Sequence, residues 1–234
     1  MEPQPTWQDL GGGSYVMRSG AARALVNIGL VVGSERALVV DTGCGPRHAT
    51  EILAAVRAVT GLPLVVANTH AHWDHFFGNA VFRNDGAADF WAHAAARRDM
   101  AGTGESQREA VSGVEPEMAA AERPGTELVF PTHLVQQDPV KLDLGGVAVS
   151  LFSLGPAHTD GDLLVGAPGV LFAGDVLEEG AEPQFEEADR SGWIRVLRTL
   201  AGMGRQYPVM VPGHGRVVTA EFAARMADRM ENSG

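Results

Sequence analysis

Cysteine occurs once in this 234-residue chain, as Cys44, and lysine once, as Lys141. One cysteine excludes an internal disulfide, so the fold has to rest on its packed core. It also fits a reducing compartment, and the cytoplasm is expected. The other basic residues are all arginine, and acidic residues outnumber basic ones by 29 to 18, for a formal charge of −11. No polybasic patch exists, and so acidic a chain repels phosphate backbones, which argues against nucleic acid as a partner. No apolar run approaches the ~20 residues of a membrane span. The opening MEPQPTWQDL lacks the basic start and apolar run of a secretory signal, so no membrane partner is expected. With 45% hydrophobic residues there is material for one sizeable core, and a single domain over 1–234 is expected.

Histidine is also sparse, at eight residues, but five of the eight are concentrated. The stretch THAHWDH (69–75) places His70, His72, Asp74 and His75 within six positions. His70 and His72 are two apart and project to the same side of an extended segment. Asp74 and His75 follow, in what reads as the first turn of a helix. Four donors cannot all serve one tetrahedral ion and leave a position open. Two ions that also draw on distant residues can use them all. Those distant donors are expected in loops after strands: His158 in GPAHTDGD, Asp175 in LFAGD and His214 in VPGHG. Their Gly and Pro neighbours let backbone pass close to an ion. Cysteine is absent from these loops, which suits a harder nitrogen and oxygen site. His48, His93 and His133 stand alone and read as core or solvated residues.

The surrounding pattern is α/β. Apolar strands are read at 14–18, 24–32 and 37–43, a helix at 48–61, and a strand running from Leu62 into the histidine cluster. A short strand, ADFWAH, precedes a helix from Ala94. Residues 101–139 have weak periodicity and read as an irregular or partly helical connection. Strands resume at Val140, with a hairpin turning at Ala167–Gly169. A helix over GWIRVLRTLAGMG, a strand in PVMVPGHG and a last helix over AEFAARMADRM complete the chain. There is an internal echo. LVVDTG, helix, LVVANTHAH parallels LFAGD, helix, VMVPGHG: a strand ends at aspartate, and the next strand ends at histidine. Two similar halves facing one another would bring these ends together.

In this order, H-x-H-x-D-H (70–75), G-x-A-H-T (155–159), G-D (174–175) and G-H-G (213–215) resemble the metallo-β-lactamase-fold superfamily. VVDTG (39–43) is similar to its early strand and loop, and the resemblance spans about 24–216. It implies a four-layer αββα sandwich with a two-metal site along one edge. His70, His72 and His158 look like ligands of the first ion. Asp74, His75 and His214 look like those of the second, with Asp175 as the bridging carboxylate. Asp41 is similar to an acid standing behind the ligand loops. Two zinc ions are implied, with iron or manganese as the other candidates. The implied chemistry is attack by a metal-bridging hydroxide, oriented by Asp74.

Within the superfamily the chain resembles a compact hydrolase of a small ester, thioester, lactone or amide. Only 20 residues follow His214, so the long helical extension of the hydroxyacylglutathione hydrolases is not expected. Asp175 stands where true β-lactamases carry cysteine, which makes β-lactams a weaker alternative. A mononuclear iron persulfide dioxygenase is the other alternative. Trp73, Phe76, Phe77 and Trp91 are expected as pocket walls, Cys44 as a packing residue, and Ser106 as no nucleophile. The acidic stretch 178–189, with Glu178 and Glu179 just after Asp175, is expected to oppose anionic substrates. An anion preference would instead point to Arg190 turned into the pocket. The partner is a small molecule, and the oligomeric state is left open, a homodimer included.

Overall fold

The computed structural model describes residues 6–20, 25–181 and 188–232. In chain order, β1 (Gln8–Gly11), β2 (Ser14–Ser19), β3 (Val26–Val32) and β4 (Ala37–Val40) lead to helix α1 (Pro46–Val59) and β5 (Leu64–Ala67). Short helices α2 (Trp73–Phe76) and α3 (Asn79–Asn84) precede β6 (Asp89–His93), α4 (Ala94–Gln107), a 3₁₀ turn, α5 (Pro116–Ala120) and β7 (His133–Val135). The second half holds β8 (Val140–Asp143), β9 (Ala148–Phe152), β10 (Leu164–Ala167), β11 (Val170–Glu178), α6 (Arg190–Gly202), β12 (Val209–His214) and α7 (Ala220–Asn232).

Strands β1 to β7 form one sheet in sequence order, and β12-β11-β10-β9-β8 form a second. Between the sheets lie Val31, Leu38, Val40 and Val65 from the first and Val149, Leu151, Val165 and Phe172 from the second. Each sheet carries helices on its outer face. Ile52 and Val56 of α1 pack on the first, and Trp193, Val196, Leu197 and Leu200 of α6 pack on the second. The α6 residues recur at helical spacing, so one stripe is buried. Asp189 caps that helix by accepting from Gly192 N at 3.0 Å. The layers are therefore helix, sheet, sheet, helix, as expected.

Strands β4, β5, β6 and β7 are mutually parallel, so their carboxyl ends share one edge. β4 (ALVV) and β5 (LVVA) are buried at every position. Such continuous apolar strands belong in a parallel sheet covered on both faces. In the second sheet only β11 and β12 are parallel, joined through α6. The β4-α1-β5 and β11-α6-β12 units are the two members of the internal echo. Register shifts along β11 on either side of Gly174 break the regular pairing near Asp175. Irregular pairing of this kind re-aims a side chain.

The connection 101–139 is more ordered than its weak periodicity suggests. α4 runs on to Gln107, and Arg108 anchors the segment after it, donating to Met118 O at 2.8 Å and Thr126 O at 3.0 Å. β7 then adds an edge strand to β6. It has three residues, two of them exposed, so it leaves no alternating pattern to read.

Candidate metal centre

The motif 69–75 leaves β5 at its carboxyl end, and Asp41 follows β4 beside it. Asp41 adopts a left-handed backbone, φ 63°. Its Oδ1 accepts from Thr69 N at 2.8 Å. Its Oδ2 accepts from Thr69 Oγ1 at 2.8 Å and lies 2.8 Å from His75 Nδ1. Asn68 donates to His75 O at 3.0 Å and shares hydrogen bonds with Asn79, which in turn accepts from Thr42 Oγ1. On the other side, Gln107 accepts from Trp73 N at 2.8 Å and donates to Ala71 O at 3.0 Å. The backbone on either side of His72 is thus held by one side chain from α4.

All seven expected donors converge. His70, His72, His158 and Asp175 form one group and Asp74, His75 and His214 another, with donor atoms in each group within 4.8 Å of one another. Asp175 is central. Its Oδ2 lies 3.7 Å from His70 Nε2, 3.7 Å from His158 Nε2 and 3.4 Å from His214 Nε2. Its Oδ1 lies 3.4 Å from His75 Nε2. Asp74 Oδ2 sits 3.3 Å from His214 Nε2 and 3.7 Å from His75 Nε2. Gly213 makes this possible, since a Cβ there would lie 1.8 Å from Asp175 Oδ1.

The remaining ring nitrogens are held from behind. His214 Nδ1 donates to Leu25 O at 2.8 Å, and His75 Nδ1 faces Asp41. Such outer contacts fix the tautomer that leaves Nε2 free as a donor to an ion. His70 Nε2, His75 Nε2 and Asp175 Oδ1 are buried and have no hydrogen-bond partner. Buried polar atoms are rarely left so, because each costs free energy unless something answers it. His72 Nδ1 and His158 Nε2 face each other at 3.1 Å. Five imidazole nitrogens and two carboxylates, several of them orphaned and all convergent, fit divalent cations.

The electrostatics agree. Burial drives His70 well below its usual range and His158 down to about 4. Both offer neutral nitrogens. At His75 burial opposes the charge, but Asp175, Asp74 and Asp41 outweigh it and hold the group up to about 9. At His214 the same contest, with Asp175 the leading partner, ends at about 12. Burial works against the Asp175 charge, but His75 and His214 hold its carboxyl well below the carboxylate range. Without a metal, protons on His75 and His214 balance the buried carboxylates.

A family model for the metallo-β-lactamase superfamily matches residues 22–214, from before Asp41 through His214. The chain belongs to the metallo-β-lactamase superfamily. It is a metal-dependent hydrolase of that superfamily, and the persulfide dioxygenase alternative is not favoured. The acyl-coenzyme A thioesterase MBLAC2 of Bos taurus is 32% identical over 86% of this chain and 77% of its own length. The Homo sapiens protein of that name is 31% identical over the same shares. Among solved structures, the mono-zinc form of the metallo-β-lactamase FIM-1 from Pseudomonas aeruginosa superposes with a TM-score of 0.76 at 20% identity, over 100% of this chain and 99% of that one. A metallo-β-lactamase from Pontibacter korlensis gives 0.75 at 19%, over 98% and 100%. At such identities these two speak for the fold alone.

Several expectations need correction. Phe76 and Phe77 are not pocket walls, because both are buried in a cluster with Ala96 and Met100. Trp91 stacks on the His133 ring at 4.6 Å and packs against the inter-sheet core. Trp73 remains partly exposed inside the motif. Glu178 does not front the site as a free charge. It is buried, with Oε1 3.5 Å from His158 Nδ1. Glu179 is paired with Arg216 at 2.8 Å. Glu182, Glu186 and Glu187 lie outside the described residues. Arg190 donates to Met230 O and so is turned to α7. Cys44 is buried with its Sγ 3.2 Å from His48 Nδ1, and burial, then Glu115, pushes its thiol up to about 12. A thiol held in that state is a packing residue. Ser106 is exposed, and its hydroxyl donates to the backbone carbonyl of Thr103 at 2.7 Å.

Proposed function

We propose that this chain hydrolyses acyl thioesters of the acyl-CoA class with two divalent cations, zinc first among them. The observation that carries the reading is the 32% identity to acyl-CoA thioesterases, over most of both chains, by a chain that keeps seven convergent donors. His70 Nε2, His72 Nδ1 and His158 Nε2 would hold one ion. Asp74, His75 Nε2 and His214 Nε2 would hold the other, with Asp175 between them. Bound there, such ions supply Lewis acidity, acidifying water and polarising a carbonyl.

The chain's own groups do the rest. Asp74 Oδ2 faces His75 and His214, which leaves Oδ1 to accept a proton from the attacking water and aim it. Asp41 and the Leu25 carbonyl keep His75 and His214 in one tautomer and orientation. Gln107 fixes the backbone around His72, so the three motif histidines hold their spacing. The partly exposed Trp73 is the apolar surface nearest the motif. A cytoplasmic setting belongs to the same proposal, supported by the lone cysteine.

The test is turnover of a panel with zinc restored: a fatty acyl-CoA, an aryl ester, a lactone and a β-lactam. The acyl-CoA is expected to give the highest kcat/KM. A lactone or β-lactam turned over at least ~100-fold better would contradict the thioester reading. Oxygen consumption with a persulfide and one bound iron would replace it.

A further inference from the structure

An open groove of about 700 Å3 lies beside the metal centre and takes no part in it. It is lined by His93, Arg98, Gln136, Gln137, Ser153 and Asp160, among others. Its place follows from the topology. His93 ends β6, and Gln136 and Gln137 follow β7, on the edge where β5 delivers His70. Neighbouring strands are ~5 Å apart, so β5 and β7 end only ~10 Å from each other. The opposite wall is the loop Ser153–Asp160, and that loop carries His158. Gly161 lets the loop lie directly on the first turn of α4, where a Cβ would come within 2.2 Å of Ala96 N. Metal centre and groove therefore share one wall and one sheet edge.

The lining is chemically specific. The Arg98 guanidinium is exposed and makes no ion pair among the described residues. The side-chain amides of Gln136 and Gln137 are likewise unengaged among the described residues. His93 Nδ1 accepts from Ala95 N, which leaves the proton on Nε2 and makes that atom a donor. Two amides, a hydroxyl, an imidazole N–H and a guanidinium match a ligand with amide groups and a phosphate. Arginine is suited to phosphate through its planar fork of donors. The size fits an organic ligand rather than an ion.

We infer that this groove binds the carrier arm of the substrate, an amide-bearing, phosphorylated thiol of the coenzyme A class, while the thioester carbonyl sits at the metals. The inference rests on the thioester reading above. Gln136 and Gln137 pair with the amides of the arm, and Arg98 meets phosphate. Asp160 is the one carboxylate among the six and repels phosphate, which sets the phosphate on the Arg98 side. Binding energy from this remote arm holds the reacting carbonyl in place.

The test compares two thioesters with the same acyl group, one on coenzyme A and one on N-acetylcysteamine, which lacks the phosphorylated arm. With wild-type, zinc-restored enzyme, kcat/KM is expected to favour the coenzyme A thioester by at least ~10-fold. Arg98→Glu should raise KM for that substrate ~10-fold and leave the truncated thioester within about twofold, which also shows an intact fold. Asp160→Asn should lower KM for the coenzyme A thioester only. In parallel, desulfo-coenzyme A binding to the zinc-loaded protein is followed by calorimetry, and Arg98→Glu should weaken it ~10-fold. Equal loss on both thioesters, no effect of Arg98→Glu, or an Arg98-dependent preference for an acyl-glutathione would overturn the inference. If wild-type enzyme hydrolyses neither thioester, the proposed function fails. The binding experiment then decides the groove alone, and absence of desulfo-coenzyme A binding overturns it.

Discussion

Asp41 Oδ2 lies 2.8 Å from His75 Nδ1, and this contact ties the end of β4 to the metal motif after β5. Asp41 holds it from a left-handed backbone, a conformation that costs energy outside glycine and concentrates at functional sites. Asparagine tolerates that backbone, so Asp41→Asn removes the charge and keeps the shape. The variant is expected to fold normally and to lose 10–100-fold in zinc affinity, the scale of losing such an outer contact, as read by chelator competition. Unchanged affinity would show that His75 needs no anionic partner.

In the proposed mechanism Asp74 has the two roles of ligand and proton acceptor. Asp74→Ala should cut kcat at least ~100-fold, the scale of a positioned acid-base group, with the circular dichroism spectrum unchanged. It should also lower bound zinc from two ions toward one. Near-normal turnover would mean that another group aims the water.

The pH dependence comes from His75 and His214. Their folded-state pKa values are raised from 6.5 to about 9 and about 12. A raised histidine stabilises the fold fully below its unfolded pKa and loses that contribution as pH rises through the folded value. Asp162, raised by burial to about 7, completes its titration at the lower edge of this window and adds to the loss only there, while His70 and His158, which are depressed, are neutral throughout it. The metal-free protein should therefore lose thermal stability between pH 7 and pH 10. Zinc displaces the same protons, so zinc affinity should rise over that window while the Tm of the loaded protein stays level. Parallel Tm curves for the two forms would count against protons on these two histidines.

Gly213→Ala probes the packing beneath the Asp175 carboxylate. A Cβ would sit 1.8 Å from Asp175 Oδ1, so the carboxylate has to move. Zinc affinity should drop at least ~10-fold, with a small change in Tm. Retention of two tightly bound ions would show that Asp175 is not held where the structure places it.

The donors were legible because their spacing is local and their chemistry narrow. Four lie within six residues, and the other three sit in Gly- and Pro-flanked strand ends. The strands that lead into the motif were legible as continuous apolar runs. The groups that support the donors were not. Gln107 grips Ala71 and Trp73 from 34 to 36 residues away, a contact that exists only once α4 has docked. Glu178 reads as a surface charge, yet burial turns it toward His158. Phe76 and Phe77 look like pocket walls because they adjoin the motif. The short α2 helix and the docked α4 send both rings inward instead. Such outcomes depend on tertiary packing, which local spacing does not encode.

If the seven donors hold the ions that cleave the thioester, activity and metal content have to rise together. A zinc titration of chelator-treated protein, with acyl-CoA turnover and bound zinc read on the same samples, measures this dependence. Turnover should be absent without metal and rise with zinc to a plateau at two ions per chain. Full acyl-CoA turnover in the metal-free protein, or none with two zinc ions bound, would contradict it.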